Sequence, residues 1–207
     1  MDVNIIKLPG DENNGKLAFT IDKFLSCKEC NEILDMIKNK KFQKAPVGDM
    51  KKSVDTETRN NSRTFIEDSK FIEKMWQKFR EIDIIPKTMT NGVFKLSGLY
   101  KHTIFYKYND GEYFKEHYDG ERKDGNKKSF FTILIYLNEG FDGGETTFIH
   151  HDRKMIKNKL KDNLVLTPIV PKKGQLLVFK HNILHEGSLL KSGEKIILRS
   201  DIMYEKS

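Results

Sequence analysis

Residues 106–120, YKYNDGEYFKEHYDG, combine a β-rich composition with a central turn signal. Tyrosine and phenylalanine are enriched in strands, and Asn-Asp-Gly is typical of a tight connection between two of them. The stretch therefore predicts two short strands joined by a turn, the second of which reaches His117 and Asp119. Side chains two residues apart on a strand project from the same face of a sheet. We therefore expect the imidazole of His117 and the carboxylate of Asp119 to face the same way.

Further segments after residue 120 are also typical of strands. Residues 129–138, SFFTILIYLN, are an almost unbroken run of β-branched and aromatic side chains, as expected of a buried strand. More strands are predicted over 143–148, 175–179 and 195–204, and the turn PKKG at 171–174 precedes the second of these. The second half of the chain is therefore predicted to be β-rich.

Two helices are predicted in the first half of the chain. A short strand over 17–22 precedes a helix over about 27–40, and a second helix runs over about 69–82 after the N-cap residue Asp68. Residues 43–61 between the helices are polar and predict an exposed loop. Two helices followed by many short strands indicate an α+β fold, with the helices covering one face of an antiparallel sheet.

The composition predicts a water-soluble protein of one domain, or of one domain with an attached flank, from its 207 residues. No apolar stretch approaches the roughly 20 residues that span a bilayer. The sequence shows neither a signal peptide nor an endoplasmic-reticulum retention signal, so we expect a cytoplasmic location and no membrane contact. The net charge of +7 comes with lysines spread over the whole sequence, which favours a solvated surface over a nucleic-acid site.

The two cysteines, Cys27 and Cys30, are too few for a structural zinc site, which generally needs four ligands. They follow Ser26 and surround Glu29, a capping-box pattern at a helix start, so the expected role is packing of a helix face. The remaining histidines are expected to be structural or, for the adjacent pair, to lie in a polar loop: His102, His181, His150 and His151.

A histidine after a later strand completes a set of three metal-binding groups. His185 follows the predicted strand 175–179. Two imidazoles and one carboxylate on one side of a metal leave coordination positions open, the geometry associated with non-haem Fe(II) oxygenases. His117, Asp119 and His185 are therefore the candidate iron ligands. The alternative is a His–Asp hydrogen bond at a strand edge, with His185 unrelated to it on the surface.

The motifs around these residues resemble the prolyl 4-hydroxylase-like branch of the 2-oxoglutarate- and Fe(II)-dependent dioxygenases. The resemblance covers residues 99–205, about half of the chain. The motifs are K-Y-x-x-G-x-x-F-x-x-H-x-D-G at 107–120, Y-L-N at 136–138, G-G-E-T at 143–146, L-H-E-G at 184–187 and G-x-K-x-x-L-R-x-D-x-x-Y at 193–204. In the family, a lysine ten residues after the second metal histidine, or an arginine nearby, binds the tail of 2-oxoglutarate. Lys195 lies ten residues after His185.

The resemblance implies a fold, a cofactor set and a reaction. The fold is a double-stranded β-helix (jelly-roll) over residues 99–207, with residues 1–98 as a helical and strand support region. The implied cofactors are Fe(II) at the His117, Asp119 and His185 set, 2-oxoglutarate as cosubstrate, O2, and L-ascorbate as a reductant of oxidised iron. Asp119 favours hydroxylation, because halogenating relatives carry a small residue at this position.

Lys195 is expected to bind the C5 carboxylate of 2-oxoglutarate from the inner face of the last strand. Arg199 has the same strand parity, and it becomes the carboxylate partner if Lys195 points to solvent. The resemblance also implies that Tyr108, Tyr136 and Thr146 line the cosubstrate pocket. For each of these three, the alternative is an ordinary core residue.

The implied enzyme is an oxidoreductase that hydroxylates a C–H bond and releases succinate and CO2. The predicted substrate is C4 of a prolyl residue in a polypeptide, over which the segments 43–61 and 121–129 are expected to form a groove or lid. One alternative is a dioxygenase that acts on a lysyl residue, a free amino acid or another small molecule. The other is a jelly-roll binding module that has lost catalysis.

Overall fold

The computed structural model describes residues 2–47, 54–156 and 159–207. These residues form two α-helices, α1 (Cys27–Ile37) and α2 (Ser69–Phe79), and one 3-10 helix, Asp11–Asn13. The strands are β1 (Val3–Ile5), β2 (Ala18–Ile21), β3 (Gln43–Lys44), β4 (Ser62–Ile66), β5 (Thr88–Met89), β6 (Phe94–Leu99), β7 (Thr103–Tyr108), β8 (Phe114–His117), β9 (Lys123–Asp124), β10 (Lys127–Tyr136), β11 (Asp142–Gly143), β12 (Thr146–Ile156), β13 (Lys159–Ile169), β14 (Leu176–Lys180), β15 (His185–Gly187), β16 (Leu190–Ser192) and β17 (Lys195–Lys206). The predicted α+β class is confirmed.

The strands build two large antiparallel sheets and one separate two-stranded sheet. The major sheet has the order β1-β2-β14-β10-β17-β7-β4-β3, with β6 joined through β17 and β9 through β10. The minor sheet has the order β13-β12-β15-β8, and β11 pairs separately with β16. This is the jelly-roll architecture that the sequence predicted. Strands β2 and β4 pair with β14 and β7, so the first 98 residues add strands to the major sheet as well as helices.

Alternation of side chains along β10 produces a hydrophobic core on each face of the major sheet. Phe131, Ile133 and Ile135 lie in the core that the helices cover. Leu134 and Tyr136 point the other way, into a second core that includes residues of the minor sheet. Because both faces are buried, β10 is almost uninterruptedly apolar, which is why its sequence predicted a strand so clearly.

The same alternation along β17 places two cations between the sheets. Leu198 belongs to the helix-side core and Ile197 to the core between the sheets. Side chains on a strand alternate, so Lys195 and Arg199 share the face of Ile197. Both are buried, with exposed fractions of 1% and 8%. The central strand of the major sheet therefore directs two positive charges towards the minor sheet.

The two helices pack on the outer face of the major sheet. Helix α1 starts with a complete capping box, in which Ser26 accepts from the Glu29 amide at 3.2 Å and Glu29 accepts from the Ser26 amide at 2.9 Å. Asp68 is the N-cap of helix α2, and its carboxylate accepts hydrogen bonds from two backbone amides of the first turn. Lys78 of α2 donates to Glu29 at 2.6 Å and so links the two helices. Both helices end about one turn before their predicted ends. Neither of these helices has the length and apolarity needed to cross a membrane.

We expect Ser26→Ala to lower the free energy of unfolding by about 1 kcal/mol, because it leaves the Glu29 amide without its capping acceptor. Urea denaturation followed by far-ultraviolet circular dichroism measures this change. Ser207→Ala, at the exposed C-terminus, is the matched control and should leave the unfolding midpoint unchanged. An unchanged midpoint for Ser26→Ala would contradict the structural role assigned to the capping box.

Three sequence-based expectations about loops are wrong. The 150–163 stretch was predicted to begin as a polar loop, but its described residues, 150–156 and 159–163, lie in the antiparallel pair β12 and β13. Residues 121–129 are not a long loop, because β9 and the start of β10 pair as a tight hairpin. The segment 43–61 is exposed only in part, since Ala45, Arg59 and Asn61 are buried. Its residues 48–53 lie outside the described residues.

The 106–120 stretch does contain two short strands, but they do not form a hairpin. Strand β7 belongs to the major sheet and β8 to the minor sheet, so the intervening turn carries the chain from one sheet to the other. Strand β8 ends at His117, and Asp119 lies just beyond it. Strand parity therefore does not position Asp119. Its backbone amide instead donates to the carbonyl of His181 at 3.1 Å.

Candidate active site

The three predicted metal ligands meet at one end of the minor sheet. His117 at the end of β8 is the register partner of His185 at the start of β15, and their ring centroids are 4.3 Å apart. One donor atom from each of His117, Asp119 and His185 lies within 4.8 Å of the others. The side chains of Asp119 and His185 are almost fully buried, and that of His117 is largely so. The structure thus brings together residues that are up to 68 positions apart in the chain.

Backbone carbonyls fix which nitrogen of each imidazole faces the site. Nδ1 of His117 lies 2.7 Å from the Lys115 carbonyl, and Nδ1 of His185 lies 2.9 Å from the Ile183 carbonyl. A proton on each Nδ1 satisfies these carbonyls and leaves Nε2 with a free electron pair. Burial lowers the pKa of His117 to about 3 and also lowers that of His185, so both rings are neutral near pH 7. Both are therefore in the form that binds a metal.

The major sheet holds Asp119 in its charged form. Thr132 of β10 donates to one carboxylate oxygen at 2.5 Å, and Nη2 of Arg199 lies 2.9 Å from the other. Burial alone raises the pKa of Asp119, but Arg199 and the two histidines more than offset that effect and keep the pKa below its usual range. The carboxylate is therefore ionised and oriented by two strands before any ligand arrives.

This donor set fits a divalent iron ion. It offers two neutral imidazole nitrogens and one carboxylate oxygen from one side, the combination that leaves positions for further ligands. Each donor is also held by a neighbouring group, as is usual for metal ligands. No other group of three such residues close enough to hold a metal occurs among residues 2–47, 54–156 and 159–207.

Lys195 lies in the cavity that adjoins the three ligands. The cavity wall includes both histidines, Asp119, Lys195 and Tyr108. Nζ of Lys195 donates to the Gly144 carbonyl at 2.6 Å and lies 4.1 Å from the centre of the Tyr108 ring. Among the residues described, no carboxylate lies within salt-bridge distance of this amine. Burial lowers the pKa of Lys195 to about 7, against an opposing effect of Glu145. A buried amine without an anion is costly, so the site is suited to an incoming carboxylate.

The other predicted pocket residues take different positions. Tyr108 and Thr146 line the cavity together with Lys195. Tyr136 donates its hydroxyl to Thr146 Oγ1 at 2.8 Å and is fully buried, so it acts on the pocket through Thr146. Arg199 faces inward as its parity predicted, but its guanidinium is bonded to Asp119. Within the described part of the chain, Lys195 therefore has no carboxylate partner, whereas Arg199 supports a candidate metal ligand.

The remaining histidines have polar partners on the protein surface or in a buried network. His102 lies 2.8 Å from Glu67, and His181 lies 3.1 Å from Asp201. The adjacent pair on β12 is bonded to the carboxylates of Glu12, Glu116 and Asp162. Each of these interactions joins two separate segments, which is consistent with a structural role.

Two residues of the site carried no sequence signal. Thr132 lies in a mostly apolar segment that is typical of a buried strand, so its hydroxyl contact with Asp119 was not expected. Arg59 lies in the segment predicted to be an exposed loop, yet it lines the same cavity and is 4% exposed. An arginine in a polar stretch gives no indication that it is buried.

Comparison with known proteins agrees with this geometry. Residues 103–200 match the model of the 2OG-Fe(II) oxygenase superfamily. The Arabidopsis thaliana protein named "Probable prolyl 4-hydroxylase 8" is 28% identical over 141 residues, which cover 63% of this chain and 44% of that protein. The chain thus spans less than half of the length of this curated relative.

Solved structures share the fold at low sequence identity. A viral collagen prolyl hydroxylase from Paramecium Bursaria Chlorella virus-1, in a 2OG complex, is 23% identical, with TM-score 0.60 and coverage of 94% of this chain and 98% of that one. A Pseudomonas putida prolyl-4-hydroxylase is 18% identical, with TM-score 0.61 and coverage of 95% and 96%. A Trichoplax adhaerens prolyl hydroxylase, in complex with a peptide fragment of the hypoxia inducible factor oxygen degradation domain, is 18% identical, with TM-score 0.63 and coverage of 95% and 86%.

The family match includes all three candidate ligands and Lys195, and the fold matches across nearly the whole chain. Residues 103–200 are therefore similar in sequence to the 2OG-Fe(II) oxygenase superfamily, and the chain has the fold of the solved prolyl hydroxylases.

Proposed function

We propose that the protein is a 2-oxoglutarate- and Fe(II)-dependent dioxygenase that hydroxylates a C–H bond. The observation that carries this proposal is the set His117, Asp119 and His185 next to the buried amine of Lys195, which has no carboxylate partner among the described residues. One group of residues suits the metal and the other suits the far carboxylate of the cosubstrate. The family match supports the same cofactors.

Fe(II) bound here would supply O2 activation coupled to oxidative decarboxylation of 2-oxoglutarate to succinate and CO2, with hydroxylation of the substrate. The chain's own contribution is to bind and orient. Nε2 of each histidine and one oxygen of Asp119 would hold the metal. Arg199 and Thr132 keep Asp119 ionised and fixed in direction. Lys195 holds the C5 carboxylate, and Tyr108, neutral because burial raises its pKa to about 12, offers a hydroxyl proton to the same pocket.

Residues 1–98 complete this site as a support region for the oxygenase domain of residues 99–207. They supply α1 and α2, which cover the outer face of the major sheet, and β4, which pairs with β7. Arg59 also reaches the active-site cavity from this region. The two parts therefore act as one unit.

The substrate we propose is a prolyl residue in a polypeptide, hydroxylated at C4. The names of the similar proteins support this choice, since they are prolyl hydroxylases, one of them bound to a peptide fragment. Asp119 also lines two further cavities, together with Tyr118 and Glu121, so there is space beside the metal position for part of a peptide. A preformed polyproline II segment would bind there with little loss of conformational entropy.

The test is incubation of the full chain with Fe(II), 2-oxoglutarate, O2 and ascorbate, with and without proline-rich peptides. The peptides are of the (Pro-Ala-Pro-Lys) and collagen-like types. We expect peptide-dependent succinate release and one added oxygen at C4 of proline, located by tandem mass spectrometry. Omitting ascorbate shows whether sustained turnover depends on it.

The controls separate the class of reaction from the choice of substrate. Asp119→Ala should give neither succinate nor product. Oxygen added to a lysyl peptide or a free amino acid, and to no proline, would overturn the prolyl assignment and leave the dioxygenase assignment standing. Absence of 2-oxoglutarate decarboxylation under all conditions would instead support a binding module without catalysis.

A further inference from the structure

A second cavity beside the metal ligands is lined by an unusual number of arginines. Arg59, Arg63, Arg122 and Arg199 all contribute to its wall, together with His117 and Asp119. Arg59 also lines the cavity that holds Lys195, so the two spaces adjoin. A guanidinium is charged at any pH that a folded protein tolerates, so this wall carries a fixed positive charge.

Arg59 is the most deeply buried of the three arginines other than Arg199. Its guanidinium carbon lies 4.3 Å from the ring centre of Tyr106 and 4.1 Å from that of Phe114. Its Nε donates to Asn61 Oδ1 at 2.7 Å. Within the described part of the chain, no carboxylate lies within 4.0 Å of it. Two aromatic faces thus position a buried cation that has no anionic partner.

Arg63 and Arg122 extend the same charge along the wall. Burial lowers the pKa of Arg63, Tyr106 opposes this effect, and the neighbouring charges of Arg59 and Arg122 lower the pKa further. Nε of Arg122 lies 3.8 Å from Asp201, a carboxylate already contacted by His181 at 3.1 Å and Arg199 at 3.7 Å. One carboxylate shared by three groups does not neutralise this side of the cavity.

The acidic residues of the wall are also engaged elsewhere. Asp119 is bonded to Arg199 and is a candidate metal ligand. Glu121 lies 2.8 Å from Lys123 and 3.8 Å from Lys128. The cavity therefore has an excess of positive charge, and binding an anion would remove the repulsion between its arginines.

We propose that this cavity binds a carboxylate of the substrate, next to the position that is hydroxylated. The planar fork of an arginine matches a carboxylate through two parallel hydrogen bonds, and three such forks face this space. The carboxylate comes either from an acidic side chain beside the target residue of a peptide or from the substrate's own α-carboxylate. The inference rests on the proposed dioxygenase function and specifies which substrates that activity selects.

The first experiment compares matched substrates with the full, iron-loaded chain. The substrates are capped peptides with Pro-Glu or Pro-Gln at the centre, one proline peptide with a free C-terminus and its C-terminal amide, and free L-proline. We expect kcat/KM to be about tenfold or more higher for a carboxylate-bearing substrate than for its neutral partner, as charge-assisted hydrogen bonds imply. A preference for Pro-Glu identifies a side chain as the source, and a preference for the free C-terminus or L-proline identifies the α-carboxylate.

Variants then test whether the arginines cause the preference. Arg63→Gln, at a half-buried position, and Arg59→Lys, which keeps the charge but loses the fork, should each reduce the ratio between charged and neutral substrates at least about fivefold. Arg80→Gln, at the exposed end of α2, is the matched control and should keep the wild-type ratio. A ratio near one in the wild type, or a ratio unchanged in both cavity variants, overturns the proposal.

A binding measurement keeps this test separate from the reaction. The same compounds are titrated into the chain loaded with Mn(II) and 2-oxoglutarate, and the shift in thermal unfolding is recorded. Carboxylate-dependent stabilisation that Arg63→Gln removes supports the cavity assignment even where no proline is hydroxylated, in which case only the proposed substrate fails. Equal shifts for charged and neutral compounds overturn the cavity assignment whatever the turnover.

Discussion

His185→Ala should reduce 2-oxoglutarate decarboxylation at least about 100-fold, because it removes one of two imidazoles from a three-group metal site. The same loss is expected for His117→Ala and Asp119→Ala. Iron content after gel filtration and succinate formation measure the effect. The ring centroids of His185 and Phe179 are 4.6 Å apart, so the substitution also removes a packing contact. Circular dichroism and the midpoint of thermal unfolding should therefore be recorded to show that the fold persists.

His102→Gln is the matched control, because His102 pairs with Glu67 and is not a candidate ligand. It should retain both iron and turnover. Near wild-type turnover of His185→Ala would show that the metal site is assigned wrongly. Asp119→Gly is informative in a different way, since it should lose hydroxylation and yet retain some metal through the two histidines.

Lys195→Ala should raise the 2-oxoglutarate requirement by at least about tenfold while changing the iron requirement much less. The reason is its position: the amine is buried in the cavity but bonds only to Gly144 and stacks on Tyr108, away from the metal donors. The apparent affinities for 2-oxoglutarate and Fe(II) are measured separately in the succinate assay. Arg199→Ala should do the opposite, because Arg199 supports Asp119.

The pH dependence of 2-oxoglutarate binding provides a sharper form of this test. Burial lowers the pKa of Lys195 to about 7 in the free protein, whereas a bound carboxylate stabilises the charged amine. Binding therefore takes up a proton above pH 7, and the affinity should fall about tenfold per pH unit there and level off below it. Lys195→Arg stays charged and should lose this dependence. Calorimetric titration of the Mn(II)-loaded protein measures it, and an equal pH profile for both proteins would contradict the assignment.

Side-chain periodicity allowed the buried strands to be predicted from sequence. Strand β10 is covered on both faces and is apolar from Phe130 to Tyr136 except for Thr132, and the inward positions of Lys195 and Arg199 followed from their parity on β17. The start of β12 was predicted as a strand, but the stretch from His150 onward was mistaken for a loop because it carries charged residues on successive positions. Without a buried face, a hairpin lacks the alternation that distinguishes a strand from a loop.

The candidate site was predicted in its ligands but not in its supports. The H-x-D, L-H-E-G and G-x-K motifs identify positions that the structure brings together around one cavity. The route that places Asp119 differs from the expectation, since a backbone bond to His181 fixes it beyond the end of β8. Thr132 and Arg59 act through contacts between residues distant in sequence, and no local pattern predicts such contacts.

The two candidate metal-binding histidines and the groups that hold Asp119 belong to opposite sheets. His117 and His185 are carried by the minor sheet, while Thr132 and Arg199, which fix Asp119, are carried by β10 and β17 of the major sheet. An ion bound by all three ligands is therefore also a cross-link between the two layers of the sandwich. Because binding to the folded state alone adds to its stability, the resistance of this protein to unfolding and proteolysis should follow the local supply of iron. Iron scarcity would then shorten the lifetime of the protein, whatever reaction the site performs.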